Sequence, residues 1–92
     1  MHWSRLAAER TLRALRRFGG EATTAELQAI TGSMAVHTDI ASLRVYLERV
    51  LGLSKTDVET CYAGRTESGR QAYSYRLTPA AMFAREPETA TA

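Results

Sequence analysis

The chain has one cysteine, one lysine, one tryptophan and two prolines among 92 residues, and no long apolar run. Each shortage excludes something. Cys61 has no partner for a disulfide within the chain, and with only His2 and His37 as further soft ligands the donors fall short of a structural zinc site. Neither a disulfide scaffold nor a zinc finger is expected, and no metal or cofactor. No stretch approaches the roughly 20 apolar residues that span a bilayer, and the N-terminus lacks the apolar core of a signal peptide. The expectation is a soluble, cytoplasmic protein with no membrane partner. No nucleophile sits in a recognisable elbow, no glycine loop has phosphate-cradling spacing, and the carboxylates are scattered, so an enzyme is not expected. There are no internal repeats.

What is present suits one module. Ninety-two residues with 45% hydrophobic content fit a single small domain. It is placed at residues 1–85, with 86–92 expected to be a disordered tail. The formal charge is only +2, but the cations are eleven arginines and one lysine. Setting aside Glu86 and Glu88 in the tail leaves twelve basic against eight acidic residues, or +4. Arginine's planar fork of donors suits phosphate, so the bias favours an anionic partner; codon usage in a GC-rich genome produces the same bias.

Hydrophobic periodicity supplies the elements. Ser4 caps a first helix running to about Phe18, ended by Gly19-Gly20. Trp3, Ala7, Ala8, Thr11, Leu12, Ala14, Leu15 and Phe18 share one half of its wheel, and Arg5, Glu9, Arg10, Arg13, Arg16 and Arg17 the other, with Leu6 alone on the polar side. Thr23-Thr24-Ala25-Glu26 contains a capping box for a short second helix with Leu27 and Ile30 inward, closed by Gly32. An irregular linker, Ser33 to His37, leads to a third helix from Asp39 to Leu51, with Thr38 as cap and Gly52 as stop. Ile40, Leu43, Leu47, Val50 and Leu51 face inward on it. Ala41, Ser42, Val45, Glu48 and Arg49 face outward, with Arg44 on the shoulder. Alternation at Val58, Thr60 and Tyr62, a turn containing Gly64, Ser68 and Gly69, and alternation at Tyr73, Tyr75 and Leu77 make a β-hairpin. Pro79 opens a short last helix through about Arg85.

Three residue patterns carry a resemblance. Gly69-Arg70-Gln71-Ala72-Tyr73-Ser74-Tyr75-Arg76-Leu77-Thr78-Pro79 resembles the wing end of PadR-type and related bacterial regulators. Gly20-Glu21-Ala22-Thr23-Thr24-Ala25-Glu26-Leu27 resembles the lead into their helix-turn-helix. Ile40-Ala41-Ser42-Leu43-Arg44-Val45-Tyr46-Leu47 is similar to the recognition helix of response-regulator effector domains, where Ile-x-x-Leu-Arg-x-x-Leu recurs. The resemblance covers about residues 4 to 83. It implies an α+β winged helix-turn-helix with a three-helix core, a two-stranded hairpin wing and a short C-terminal helix. The linker Ser33 to His37 is longer than the tight turn of a minimal helix-turn-helix, and the resemblance implies no signalling input, since no sensor domain is expected in these 92 residues.

The resemblance further implies double-stranded DNA as partner and a small bacterial or phage transcription regulator acting as a homodimer. The third helix would enter the major groove and the hairpin tip would lie over the backbone. On that helix Ala41 and Ser42 permit close approach, Val45 suits a thymine methyl, and Arg44 and Arg49 reach guanine or phosphate. His37 and Thr38 at the helix start would donate to phosphate. Arg65 and Arg70 bracket the hairpin turn as backbone contacts, and Arg76, opposite Tyr73 and Tyr75, either joins them or covers the sheet. Asp39 and Glu48 partly offset Arg44 and Arg49. Arg10, Arg13 and Arg17 form a basic face that is solvated, flanks bent DNA or docks a protein. The alternative function is a winged-helix protein-interaction module, such as a phage-encoded inhibitor or adaptor, that does not bind DNA.

Overall fold

The computed structural model describes residues 3–65, 69 and 71–87. Along the chain come α1 (Arg5–Arg17), β1 (Glu21–Thr23), α2 (Thr24–Thr31), α3 (Val36–Arg49), β2 (Val58–Arg65), β3 (Gln71–Leu77) and α4 (Pro79–Phe83). Among the described residues the architecture is α+β: four α-helices and one small antiparallel sheet in the order β1-β3-β2.

Ser4 begins α1 by accepting from the amide of Ala7 at 3.1 Å. The helix ends in a Schellman arrangement, with Gly20 N donating to Leu15 O at 2.8 Å and Gly19 N to Arg16 O at 3.1 Å. The expected division of the wheel holds on the apolar side: Ala7, Ala8, Thr11, Leu12, Ala14 and Leu15 are buried, while Leu6 is exposed. Arg16 departs from it. Its guanidinium reaches α4, donating to Ala81 O at 2.9 Å and Ala84 O at 2.7 Å, because the end of that short helix leaves carbonyls unsatisfied beside it.

The sheet has a strand more than the expected hairpin. Glu21–Thr23 pairs antiparallel with β3, setting Glu21 opposite Arg76 and Thr23 opposite Ser74. Three residues are too few for periodicity to reveal. Thr23 ends this strand and also caps α2, and the expected capping box forms: the Thr23 hydroxyl accepts from Glu26 N at 3.1 Å and the Glu26 carboxylate from Thr23 N at 2.9 Å. Leu27 is buried as expected, whereas Ile30, expected inward, is 43% exposed.

The third helix starts at Val36, three residues before the expected Asp39, and Thr38 is not its cap. Ala35 occupies that position with no side-chain hydrogen bond. Burial of Val36 in the core stabilises the extra turn. Two assignments on this helix change with it, and Tyr46, which the wheel left unassigned, joins the core. Ser42, expected outside, is buried and accepts from Ser4 N at 3.0 Å; Asp39 also turns inward, only 8% exposed; Tyr46 is completely buried. The N-terminal end of α1 and the chain after α4 cover this flank, so the inward arc of α3 is wider than its aliphatic residues alone suggest.

At the base of the hairpin, Thr78 ties strand to loop, donating from N to Asp57 O at 2.9 Å and from Oγ1 to Asp57 Oδ1 at 2.6 Å. Val58, Tyr75 and Leu77 enter the core, while Tyr73 is only half-buried. Thr60 and Tyr62, expected inward with Val58, are exposed. They do share its face, but the core ends near the hairpin base and the outer part of that face overhangs a groove. A bulge between Tyr62 and Gly64 interrupts the ladder farther out.

The last helix ends at Phe83 rather than near Arg85, and the chain then returns over the helices. Glu86, expected in a disordered tail, accepts from Tyr46 Oη at 3.1 Å and pairs with Arg16 at 3.4 Å. Residues 88–92 of that tail lie outside the described residues.

Candidate nucleic-acid interface

A groove of about 960 Å³ opens between α2, α3 and the hairpin. Thr24, Ala25 and Gln28 from the start of α2 form one wall, and Thr60, Ala72, Tyr73 and Tyr75 of the hairpin the other. Val36, His37, Ile40 and Arg44 of α3 form its floor, and Met34, 90% exposed, stands at the mouth. Among the described residues none lining it is acidic. Arg44 spans it: Nη2 donates to Thr60 Oγ1 at 2.8 Å, which fixes the guanidinium between helix and hairpin with no counter-ion among the described residues. A fixed cation lacking a carboxylate neighbour gives the groove a positive potential.

The outward face of α3 carries His37, Thr38 and Arg49, all exposed, with Ala41, Arg44 and Val45 half-buried. The structure brings these six expected residues onto one continuous face. Ser42 is not among them: its hydroxyl is occupied and buried, so it cannot contact a ligand there. Loss of Asp39 to the inner side leaves Glu48 as the only carboxylate on the outward face of α3, which is therefore more basic than the sequence suggests.

Arg65 is exposed near the far end of β2, opposite Gln71 in register. Arg70 lies outside the described residues. Arg76 is placed apart from the rest. It alternates with Tyr75, so it sits on the sheet face turned away from the groove, and its Nη2 donates to Glu59 Oε2 at 3.2 Å. The hydrogen bond and charge of Glu59 hold this guanidinium still more firmly in its charged form.

Several groove residues escape a reading of the sequence. Tyr73 alternates with Tyr75 as a core residue would, yet its ring meets Tyr62 edge-on, centroids 5.9 Å apart, on the outer part of the hairpin. Periodicity identifies a shared face but not where along it the core ends. Thr60 gave no signal beyond its place in the alternation. Thr24 belonged to a recognised cap, but its position against the hairpin, with Oγ1 3.5 Å from Tyr73 O, depends on the unforeseen pairing of β1.

Among the described residues no cluster of three potential metal ligands occurs, and no helix is long and apolar enough to cross a membrane. No protein family, curated protein or solved structure matches this chain.

Proposed function

We propose that the chain is a winged helix-turn-helix domain that binds double-stranded DNA and regulates transcription. The observation that carries this reading is the shared groove: the outward face of α3 and the hairpin border it together, and Arg44 bridges them with no carboxylate among the described lining residues. The order of elements and the placement of β3 between β1 and β2 support the winged arrangement.

In this reading α3 lies in the major groove. Ala41 keeps its backbone close to the base edges, Val45 offers an apolar contact for a thymine methyl, and Arg49 reaches guanine or phosphate. His37 and Thr38 occupy the first turn, where amide groups and helix dipole attract phosphate. Arg44, held by Thr60, meets the strand passing between helix and hairpin, while Arg65 reaches the backbone beyond. Arg76 is left to the sheet. One such module covers roughly 600–1,000 Å², so specific binding calls for two copies on a pseudo-palindromic site.

Fluorescence anisotropy on duplex DNA across a salt series tests the proposal. Binding should weaken with log K falling by about 0.9 for each phosphate contact per unit of log salt. Absence of binding at low salt, or binding indifferent to salt, would refute it.

A further inference from the structure

We propose that the solvent face of α1 is a docking site for an acidic amphipathic helix of a partner protein, with Arg10, Arg13 and Arg17 meeting its carboxylates and Leu6 its apolar side chain. At about 100° per residue these four positions fall within an arc of about 60°. The three arginines extend over about 10 Å of helix. All four residues are exposed, Leu6 to 69%.

The stripe differs from the other arginines around it. Arg5 pairs with Glu9 at 3.8 Å and lies over the Tyr46 ring, Arg16 is bound to Glu86 and two carbonyls, and Arg76 pairs with Glu59. Arg10, Arg13 and Arg17 have no hydrogen-bond or ion-pair partner among the described residues. Three uncompensated charges at helical spacing define the complement: carboxylates three or four residues apart along one face of an opposing helix.

Leu6 decides between classes of polyanion. An exposed leucine in line with the arginines gives nothing to a phosphate backbone, whereas an amphipathic helix has an apolar residue to set against it. A second copy of this chain is a poor occupant as well. Its described carboxylates are largely engaged, Glu26 in the capping box, Glu59 with Arg76, Glu21 with Ser74 and Asp57 with Thr78.

The stripe lies about 180° around α1 from Ala8 and Leu15, which face the core. It is thus turned away from α3, and the proposal stands whether or not α3 meets DNA.

The test uses amide chemical shifts of the full-length protein at low salt with two synthetic peptides of identical composition. One carries glutamates at three- and four-residue spacing beside a leucine on a single helical face, and the other is a scramble. The patterned peptide should shift resonances of residues 6–17 and bind about tenfold more tightly than the scramble. Arg10→Glu with Arg13→Glu and Arg17→Glu should abolish binding, and Leu6→Ser should weaken it several-fold; if the triple variant does not fold, Arg13→Ala carries the charge test. Equal binding of both peptides, shifts centred on His37 and Arg44, or a short duplex shifting residues 6–17 more strongly than the peptide would each overturn the proposal.

Discussion

Arg44 on α3 and Thr60 on β2 are joined by a 2.8 Å hydrogen bond across the groove, a direct polar link between the outward helix face and the hairpin. The arginine carries the charge and the threonine sets its position. Thr60→Val removes the acceptor and leaves the guanidinium its full charge. Because the bond is exposed, stability should change by less than about 1 kcal/mol, whereas DNA affinity should fall about threefold to fivefold with an unchanged salt slope. Parallel denaturation and anisotropy titrations check both.

Tyr46 supplies a pH-dependent test of the packing behind α3. Burial, then the charge of Glu86 and the hydrogen bond to it, push the phenol up to about 12 from 10.0. A proton held more tightly in the folded state stabilises it fully below the unfolded pKa, and this contribution disappears as pH rises through the folded value. Urea unfolding should therefore show stability declining between about pH 10 and 12, by roughly 2 kcal/mol. In Tyr46→Phe that step should be absent, and the variant should be less stable than the parent at pH 8.

The opposite sign is expected at Asp57. Its hydrogen bond from Thr78 and a backbone bond from Ser54 lower the carboxyl below 3.8, so the stabilisation is present above the unfolded value and is lost as pH falls through the folded one. Asp57→Asn should cost about 1 kcal/mol at neutral pH, as loss of a capping interaction does. The difference from the parent should shrink on acidification below the ordinary carboxylate range, as read by thermal melts.

Gly20 holds the turn from α1 into β1. Its φ of 103° is disfavoured for any L side chain, and an added Cβ would lie 3.3 Å from Met82 Sδ. Gly20→Ala should destabilise by at least about 1–2 kcal/mol, whereas Gly19→Ala, which meets nothing within 4 Å, should carry the conformational cost alone. Chemical denaturation of the two variants separates strain from contact.

Local chemistry was legible in the sequence where its signals were local. Ser4, the Thr23 and Glu26 capping box, Gly32 and Pro79 each fix a helix end through neighbours a few residues away, and each stands where expected. Long-range pairings were not legible. The short β1 exists through β3, some 50 residues later, and Val36 lengthens α3 because the core has room for it. Of the interface, the outward residues of α3 followed from the helical period. Ser42 did not, because its burial depends on Ser4. Arg76 could not be placed either, because its role depends on Glu59 across the ladder. Arg16 looked like its arginine neighbours until α4 closed over it.

Two charge reversals, compared on one duplex at low salt, locate the DNA-binding surface. Arg44→Glu with Arg65→Glu alters the groove and hairpin, and Arg10→Glu with Arg13→Glu and Arg17→Glu alters the opposite side of the molecule by a larger charge. The first pair should abolish duplex binding and the triple change should leave affinity within a few-fold of the parent. Duplex binding that survives the first reversal in a folded protein, or that is lost in the second, would contradict the assignment of α3 and the hairpin as the DNA surface.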